Sequence, residues 1–80
     1  MKYKNLQRGQ IVIIKYRNDI YAEEFATVLL MGSNAEAKHA IPSNPRWKLY
    51  VISSDTPLYP PQNMVYLFEY DLESRITTIL

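Results

Sequence analysis

Three short triplets place an aromatic ring between two cations: Lys2-Tyr3-Lys4, Lys15-Tyr16-Arg17 and Arg46-Trp47-Lys48. Cations bind phosphate groups and aromatic rings stack on bases, so this pattern is typical of nucleic-acid binding. In a β-strand, however, successive side chains point to opposite faces, and each ring would face away from its own two cations. The triplets therefore indicate a basic face only if neighbouring strands align their cations. Its residues would be Lys2, Lys4, Lys15, Arg17, Arg46 and Lys48.

Side chains that support catalysis or metal binding are few. The chain has one histidine, His39, and no cysteine. His39 lies in a polar segment with Glu36 three residues before it, and the sequence pairs no nucleophile with it. Glu23 and Glu24 are adjacent, so in a strand their carboxylates would diverge. We expect no enzyme activity, no metal site and no cofactor; a hydrolase centred on His39 is the weakest hypothesis.

Length and composition predict one globular domain over residues 1–80, since the chain is 48% apolar and 21% charged. The lack of cysteine excludes a disulfide scaffold, and no apolar run approaches the ~18 residues of a membrane span. We therefore expect a cytoplasmic protein that does not bind membranes. The net charge of +1 hides alternating blocks of +5, −4, +3 and −3 along the chain, which indicate separate basic and acidic surfaces or charge pairing between strands.

Turn residues separate several segments that have the composition of β-strands. The clearest contains four consecutive β-branched residues, Ile11 to Ile14. The predicted strands are residues 9–16, 46–53, 64–72 and 75–80, with a turn over residues 71–74. We predict a mainly β fold, a small and partly open barrel of five to six strands.

Residues 20–32 fit two interpretations. Alternating side chains and the β-branched pair Thr27-Val28 favour a strand. A helix is the alternative, because Ala22, Phe25 and Leu29 recur at helical spacing and Gly32 would end it. In that case the fold would be α+β, with one helix at residues 20–31 packed on an antiparallel sheet.

The stretch "TPLYPPQNMVYL", residues 56–67, holds three prolines beside apolar and aromatic residues. Pro57-Leu58-Tyr59-Pro60 has the spacing of a polyproline ligand, but Asp55 and Glu69 flank it where such ligands carry a basic residue. Because prolines lack the amide donor that a sheet interior requires, we expect a connector between two strands.

The proline stretch also carries a resemblance to a known family. Pro61-Gln62-Asn63-Met64-Val65 resembles the segment of Src-homology-3 (SH3) domains in which a proline and a polar pair lead through a helical turn into the last strand. Tyr16 before an acidic loop and Trp47 before the proline segment are similar to that family too, although Met64 stands where the family has a binding tyrosine. The resemblance covers residues ~10–67 and implies an SH3-like barrel. It also implies an aromatic groove for extended peptides, formed by Tyr16, Trp47 and Pro61.

Tyrosine is the commonest aromatic residue here, with seven copies, and it is enriched at binding surfaces. We expect Tyr59, Tyr66 and Tyr70 to be exposed. The sequence thus predicts a non-catalytic binding protein that docks a Tyr-rich, charge-segregated β-surface onto a protein partner, with nucleic acid as the alternative. Its protein-binding residues would be Tyr16, Trp47, Tyr59, Pro61, Tyr66 and Tyr70.

The role expected of such a binder is that of a regulator, adaptor or inhibitor. By analogy, phages and mobile elements encode accessory proteins of this size that begin at their own methionine. The apolar end "RITTIL" predicts an edge strand through which a homodimer would form.

Overall fold

One antiparallel sheet of five strands makes up most of the computed structural model, which describes residues 6–16, 24–34, 38, 43–57 and 59–80. The elements are β1 (Ile11–Lys15), β2 (Phe25–Ser33), β3 (Arg46–Ser54), β4 (Met64–Phe68), α1 (Glu69–Arg75) and β5 (Ile76–Ile79). The strands lie in the order β4-β3-β2-β1-β5, so the chain returns from β4 through α1 to the far edge beside β1. The prediction of a mainly β fold is confirmed.

Alternating side chains give the sheet one buried face, which we call the inner face. In β1, Val12 and Ile14 are fully buried, while Ile11 and Ile13 point to the opposite, outer face and are half-buried. β2 and β3 repeat the pattern, so the apolar side chains of three central strands pack together. The core consists of Val12, Ile14, Ala26, Val28, Leu30, Trp47, Leu49, Val51, Tyr59, Leu72 and Ile76.

The alternative of a helix at residues 20–31 is wrong for the part that the structure describes. Phe25–Ser33 is the strand β2, paired with β1 on one side and β3 on the other. The β-branched pair Thr27-Val28 fits a pleated sheet, and alternation buries Val28 and Leu30 on the inner face. Residues 20–23 lie outside the described residues.

The strand predicted over residues 64–72 ends at Phe68, and the turn predicted over residues 71–74 belongs to the helix α1. The helical spacing buries Leu72 fully against the sheet, whereas a continued strand would run past the core. Acidic residues in the first turn and Arg75 in the last complement the helix dipole. The Tyr70 amide also donates to Asn44 Oδ1 at 2.8 Å, which satisfies one N–H of the helix start.

The proline-rich stretch connects β3 to β4, in agreement with the connector interpretation. Its turn is closed by the Tyr59 amide, which donates to the Thr56 carbonyl at 3.2 Å. Tyr59 then points into the core, and Gln62 has a φ of 65°, which reverses the chain into β4. The segment is therefore held by its own tyrosine rather than extended toward solvent.

Replacing Leu49 by alanine should lower the free energy of unfolding by about 2–5 kcal/mol, since Leu49 is 0% exposed and the cavity adds to the lost burial. Ile52→Ala is the control in the same strand, because Ile52 is 42% exposed, and it should cost well under half as much. Urea unfolding followed by circular dichroism measures both. Equal losses would contradict the assignment of the inner face.

Candidate binding face of the sheet

The outer face of the sheet carries aligned apolar side chains. Ile11, Leu29, Tyr50 and Met64 are paired in register across β1, β2, β3 and β4, so they form one row. Lys48 is opposite Tyr66 two pairs further along from Tyr50 and Met64, and Arg46 is opposite Phe68 four pairs further along. Tyr66 is 54% exposed and Phe68 42% exposed. The end of the face beside β4 is therefore aromatic and basic.

Arg46 joins the two exposed rings of β4. Its guanidinium carbon lies 5.9 Å from the centroid of the Tyr66 ring and 5.6 Å from that of Phe68, within the range of cation–π attraction. The Arg46 amide donates to Asn34 Oδ1 at 2.6 Å, which fixes the start of β3. The side chain thus crosses from β3 to β4 and lies along the two rings. We call Met31, Arg46, Lys48, Tyr66 and Phe68 the basic–aromatic patch.

A shallow groove of about 410 Å³ runs through this patch. Its lining residues are Met31, Gly32, Ser33, Asn34, Arg46, Lys48 and Tyr66. Gly32 has a φ of 143°, a conformation that favours glycine, and a methyl group added there would lie 4.0 Å from Cδ of Arg8. The Cδ atom of Arg8 therefore lies beside Gly32, one of the residues that line the groove.

The cations of the patch form no ion pair within the part of the chain that the structure describes. Among the described residues, neither Arg46 nor Lys48 takes part in an ion pair, and the pair that forms joins Arg75 to Asp71. Glu69, which directly follows β4, accepts a hydrogen bond from Trp47 Nε1 at 3.0 Å. Within the described part of the chain, the patch therefore presents positive charge and aromatic surface together.

The predicted protein-binding residues divide into surface and core. Tyr66 and Tyr70 are exposed as expected, Tyr70 at 61%. Tyr59 was expected to be exposed, and this is wrong: it is 9% exposed and packs edge-on against Tyr16, with ring centroids 5.7 Å apart.

Trp47 is only 5% exposed, so it does not contribute to the aromatic groove that the resemblance implied with Tyr16 and Pro61. Its position in β3 explains this, since Trp47 shares the inner face with Leu49 and Val51. Pro61 is exposed in the connector before β4, and Tyr16 is half-buried at the end of β1.

The cations of the nucleic-acid hypothesis are only partly brought together. Arg46 and Lys48 share the outer face. Lys15 also belongs to that face, but its row lies six residue steps away, or ~20 Å along the strands. Lys2, Lys4 and Arg17 lie outside the described residues, as does His39.

Sequence reasoning missed Arg8, Met31 and Phe68 as members or neighbours of the patch. Phe68 alternates with Tyr66 in "MVYLF", and that alternation is a signal that it shares the face with Tyr66. Arg8 carries no such signal, because its approach to Gly32 depends on how two distant segments meet.

Arg75 holds α1 against the rest of the fold. It donates to Asp71 Oδ1 at 2.9 Å, to the Tyr16 carbonyl oxygen and to Tyr59 Oη at 3.2 Å. Burial lowers the pKa of the guanidinium, but the hydrogen bonds to Asp71 and Tyr59 outweigh it, and the pKa is raised overall. This network joins the helix, β1 and the proline connector, so its role is structural.

Within the described residues, the structure contains no cluster of three or more histidine, cysteine or acidic side chains able to hold a metal ion. The same residues include no helix of sufficient length and apolarity to cross a bilayer.

Comparison with protein-family models, curated proteins and solved structures finds no match to this chain. Its function must therefore be inferred from the side chains and their geometry.

Arg75→Met should lower the free energy of unfolding by about 2 kcal/mol, because it removes charged hydrogen bonds that join three segments. A raised arginine pKa means that this stabilisation is present at all pH values below the ordinary arginine pKa and is lost only in strong alkali. Urea unfolding at pH 5, 7 and 9 should therefore give the same difference from wild type. Arg46→Met is the control, with a loss near zero; a similar loss for both variants would contradict the assignment.

Proposed function

We propose that this protein is a non-catalytic binding module that docks the basic–aromatic patch onto a protein partner. The observation that carries the proposal is Arg46, whose guanidinium lies between two exposed rings, Tyr66 and Phe68. Such a surface is costly to leave in water unless a partner covers it. The proposed role is that of a regulator, adaptor or inhibitor of the partner, like the roles of phage accessory proteins.

The composition of the patch supports a protein partner. Tyrosine, phenylalanine, methionine and arginine are enriched at protein interfaces, and arginine and tyrosine recur among the residues that dominate binding energy. Met31, Tyr66, Phe68 and Arg46 supply all four types on one face. The net charge of +1 also favours protein, because nucleic-acid-binding domains are usually strongly basic.

We further propose that the fold is an SH3-like small barrel. Four strands in sequence form a meander, the proline segment leads directly into β4, and a short helix after β4 brings the last strand back beside β1. The meander and the helical turn before the last strand support the resemblance, but that turn follows β4 and not Pro61 to Val65. Binding would use the outer face beside β4, since Trp47 is buried and does not line the groove expected from that family.

Nucleic acid is the second candidate. It is favoured by the convergence of Arg8, Arg46 and Lys48 around one groove, next to a ring able to stack on a base. This function would give a binding constant that falls with salt, with a log–log slope of about −0.7 for each single-strand phosphate contacted.

A second copy of the chain is a separate proposed partner, at the opposite edge of the sheet. β5 is the last strand there, and Ile79 and Leu80 are exposed at its end. We place these interactions in the cytoplasm on composition, because a chain without cysteine needs no oxidising compartment.

A pull-down from host lysate tests the proposed function with charge-reversed variants. Arg46→Glu combined with Lys48→Glu should reduce the captured protein at least tenfold, because both cations of the patch are inverted. Lys15→Glu is the control for Arg46→Glu alone, since it makes the same change in net charge on the same face, ~20 Å from the patch along the strands. Lysate treated with nuclease should give the same result.

Equal capture by the Arg46→Glu and Lys15→Glu variants would contradict the proposed surface. If no protein is captured in a way that depends on Arg46 and Lys48, the proposed function itself is contradicted. A complex lost on nuclease treatment, with the salt dependence given above, would instead establish the nucleic-acid candidate.

A further inference from the structure

β4 is an edge strand with an unusual composition. Its five residues, Met64 to Phe68, carry no charge and include two aromatic rings. β3 pairs with one side of it, and no described strand pairs with the other. Charged residues and prolines normally protect such edges from pairing with other chains. An uncharged edge strand of high β-propensity is therefore a ready template for a further strand.

The backbone groups at this edge can be assigned from the register. Hydrogen bonds join Val51 to Asn63 at 2.9 Å and Glu69 to Pro45 at 2.7 Å, at the two ends of the β3–β4 ladder. Antiparallel ladders alternate between bonded and non-bonded pairs, so the bonded pairs between those ends involve Val65 and Leu67. The N–H and C=O groups of Met64 and Tyr66 and the N–H of Phe68 consequently point away from β3, toward the open edge, whereas the Phe68 carbonyl begins the hydrogen bonding of α1.

The charges beside the open edge of β4 determine which kind of added strand it would bind. Arg46 extends from β3 over the rings of β4, toward the open side of the sheet. A strand added to β4 would lie about 4.8 Å from it, with every second side chain on the outer face near that guanidinium. The remaining side chains would continue the inner face beside Val65 and Leu67, which pack against the core. An added strand with carboxylates on the outer face and apolar side chains on the inner face would match both the guanidinium and the core.

We propose that β4 binds an extended acidic segment of the partner as an added strand, whose alternate carboxylates pair with Arg46 and Lys48. This inference rests on the proposed function and specifies its mode. Charge complementarity favours this occupant over a second copy. Two copies paired through β4 would place their cations on the same face, and β4 has no carboxylate to offer in return.

The test uses a defined probe, a blocked and fluorescently labelled peptide of alternating glutamate and valine, about ten residues long. Fluorescence anisotropy should show binding to the full chain with a dissociation constant of about 1 mM or tighter. A lysine–valine peptide of the same pattern should bind at least tenfold more weakly. The glutamate–valine peptide methylated on alternate backbone nitrogens should also bind at least tenfold more weakly, because those amides can no longer donate to the strand edge.

Variants of Met64 separate the backbone from the side chain. Met64→Pro removes an N–H that points to the open edge and leaves the ladder to β3 intact, which edge strands tolerate. It should weaken peptide binding at least tenfold, whereas Met64→Ala should change it less than threefold. Circular dichroism and thermal unfolding confirm that both variants fold. Arg46→Glu with Lys48→Glu should reverse the preference between the acidic and basic peptides.

Several results would overturn the inference. The inference fails if the glutamate–valine peptide does not bind, or if the lysine–valine peptide binds equally well. It also fails if the Met64→Pro variant binds the glutamate–valine peptide as tightly as the wild type does. Displacement of the peptide by a single-stranded oligonucleotide, or a dimer that Met64→Pro dissociates, would assign the edge to another occupant. If the pull-down from lysate still depends on Arg46 and Lys48 in such a case, the proposed function stands and only the strand-addition mode fails.

Discussion

The sheet has two faces, and the residues that the structure describes bury the central side chains of one, the inner face. Burial of the inner face by Val12, Val28 and Leu49 provides the hydrophobic free energy on which every other element depends. The one helix in the described residues has seven residues and contributes Leu72 to that same face. The row from Ile11 to Met64 on the outer face is consequently left half-covered. Small size thus leads directly to an exposed apolar surface.

The short helix brings the chain from one edge of the sheet to the other, and the proline connector joins the neighbouring strands β3 and β4. Glu69 is bonded to Trp47, and Arg75 is bonded to the end of β1 and to Tyr59. These polar contacts satisfy side chains at the border of the core, where an unpaired donor would be costly. They also use Glu69 and Asp71, the acids that follow β4 in the sequence, and no acid among the described residues pairs with Arg46 or Lys48 on the outer face.

The strands of the fold could be predicted where composition and period agree, as in Ile11 to Ile14 and in "RWKLYVIS". Residues 69–75 could not, because their strand-like apolar spacing also fits a helix, and only contact of Leu72 with the core decides between them. The same limit applies to Tyr59 and Trp47. Tyrosine and tryptophan suit interfaces and cores alike, and the face on which each lies depends on strand register. The pairing of Arg46 with Phe68 likewise follows from register across a connector.

Arg46 has a consequence for the behaviour of the free protein in concentrated solution. Its guanidinium covers two rings of an uncharged edge strand, the type of segment that nucleates intermolecular β-structure when it is bare. A positive charge at that position repels the same charge on a second molecule and discourages self-templating. The residue that would attract an acidic partner also acts as a gatekeeper against aggregation. Selection for solubility and selection for recognition would then act on the same side chain.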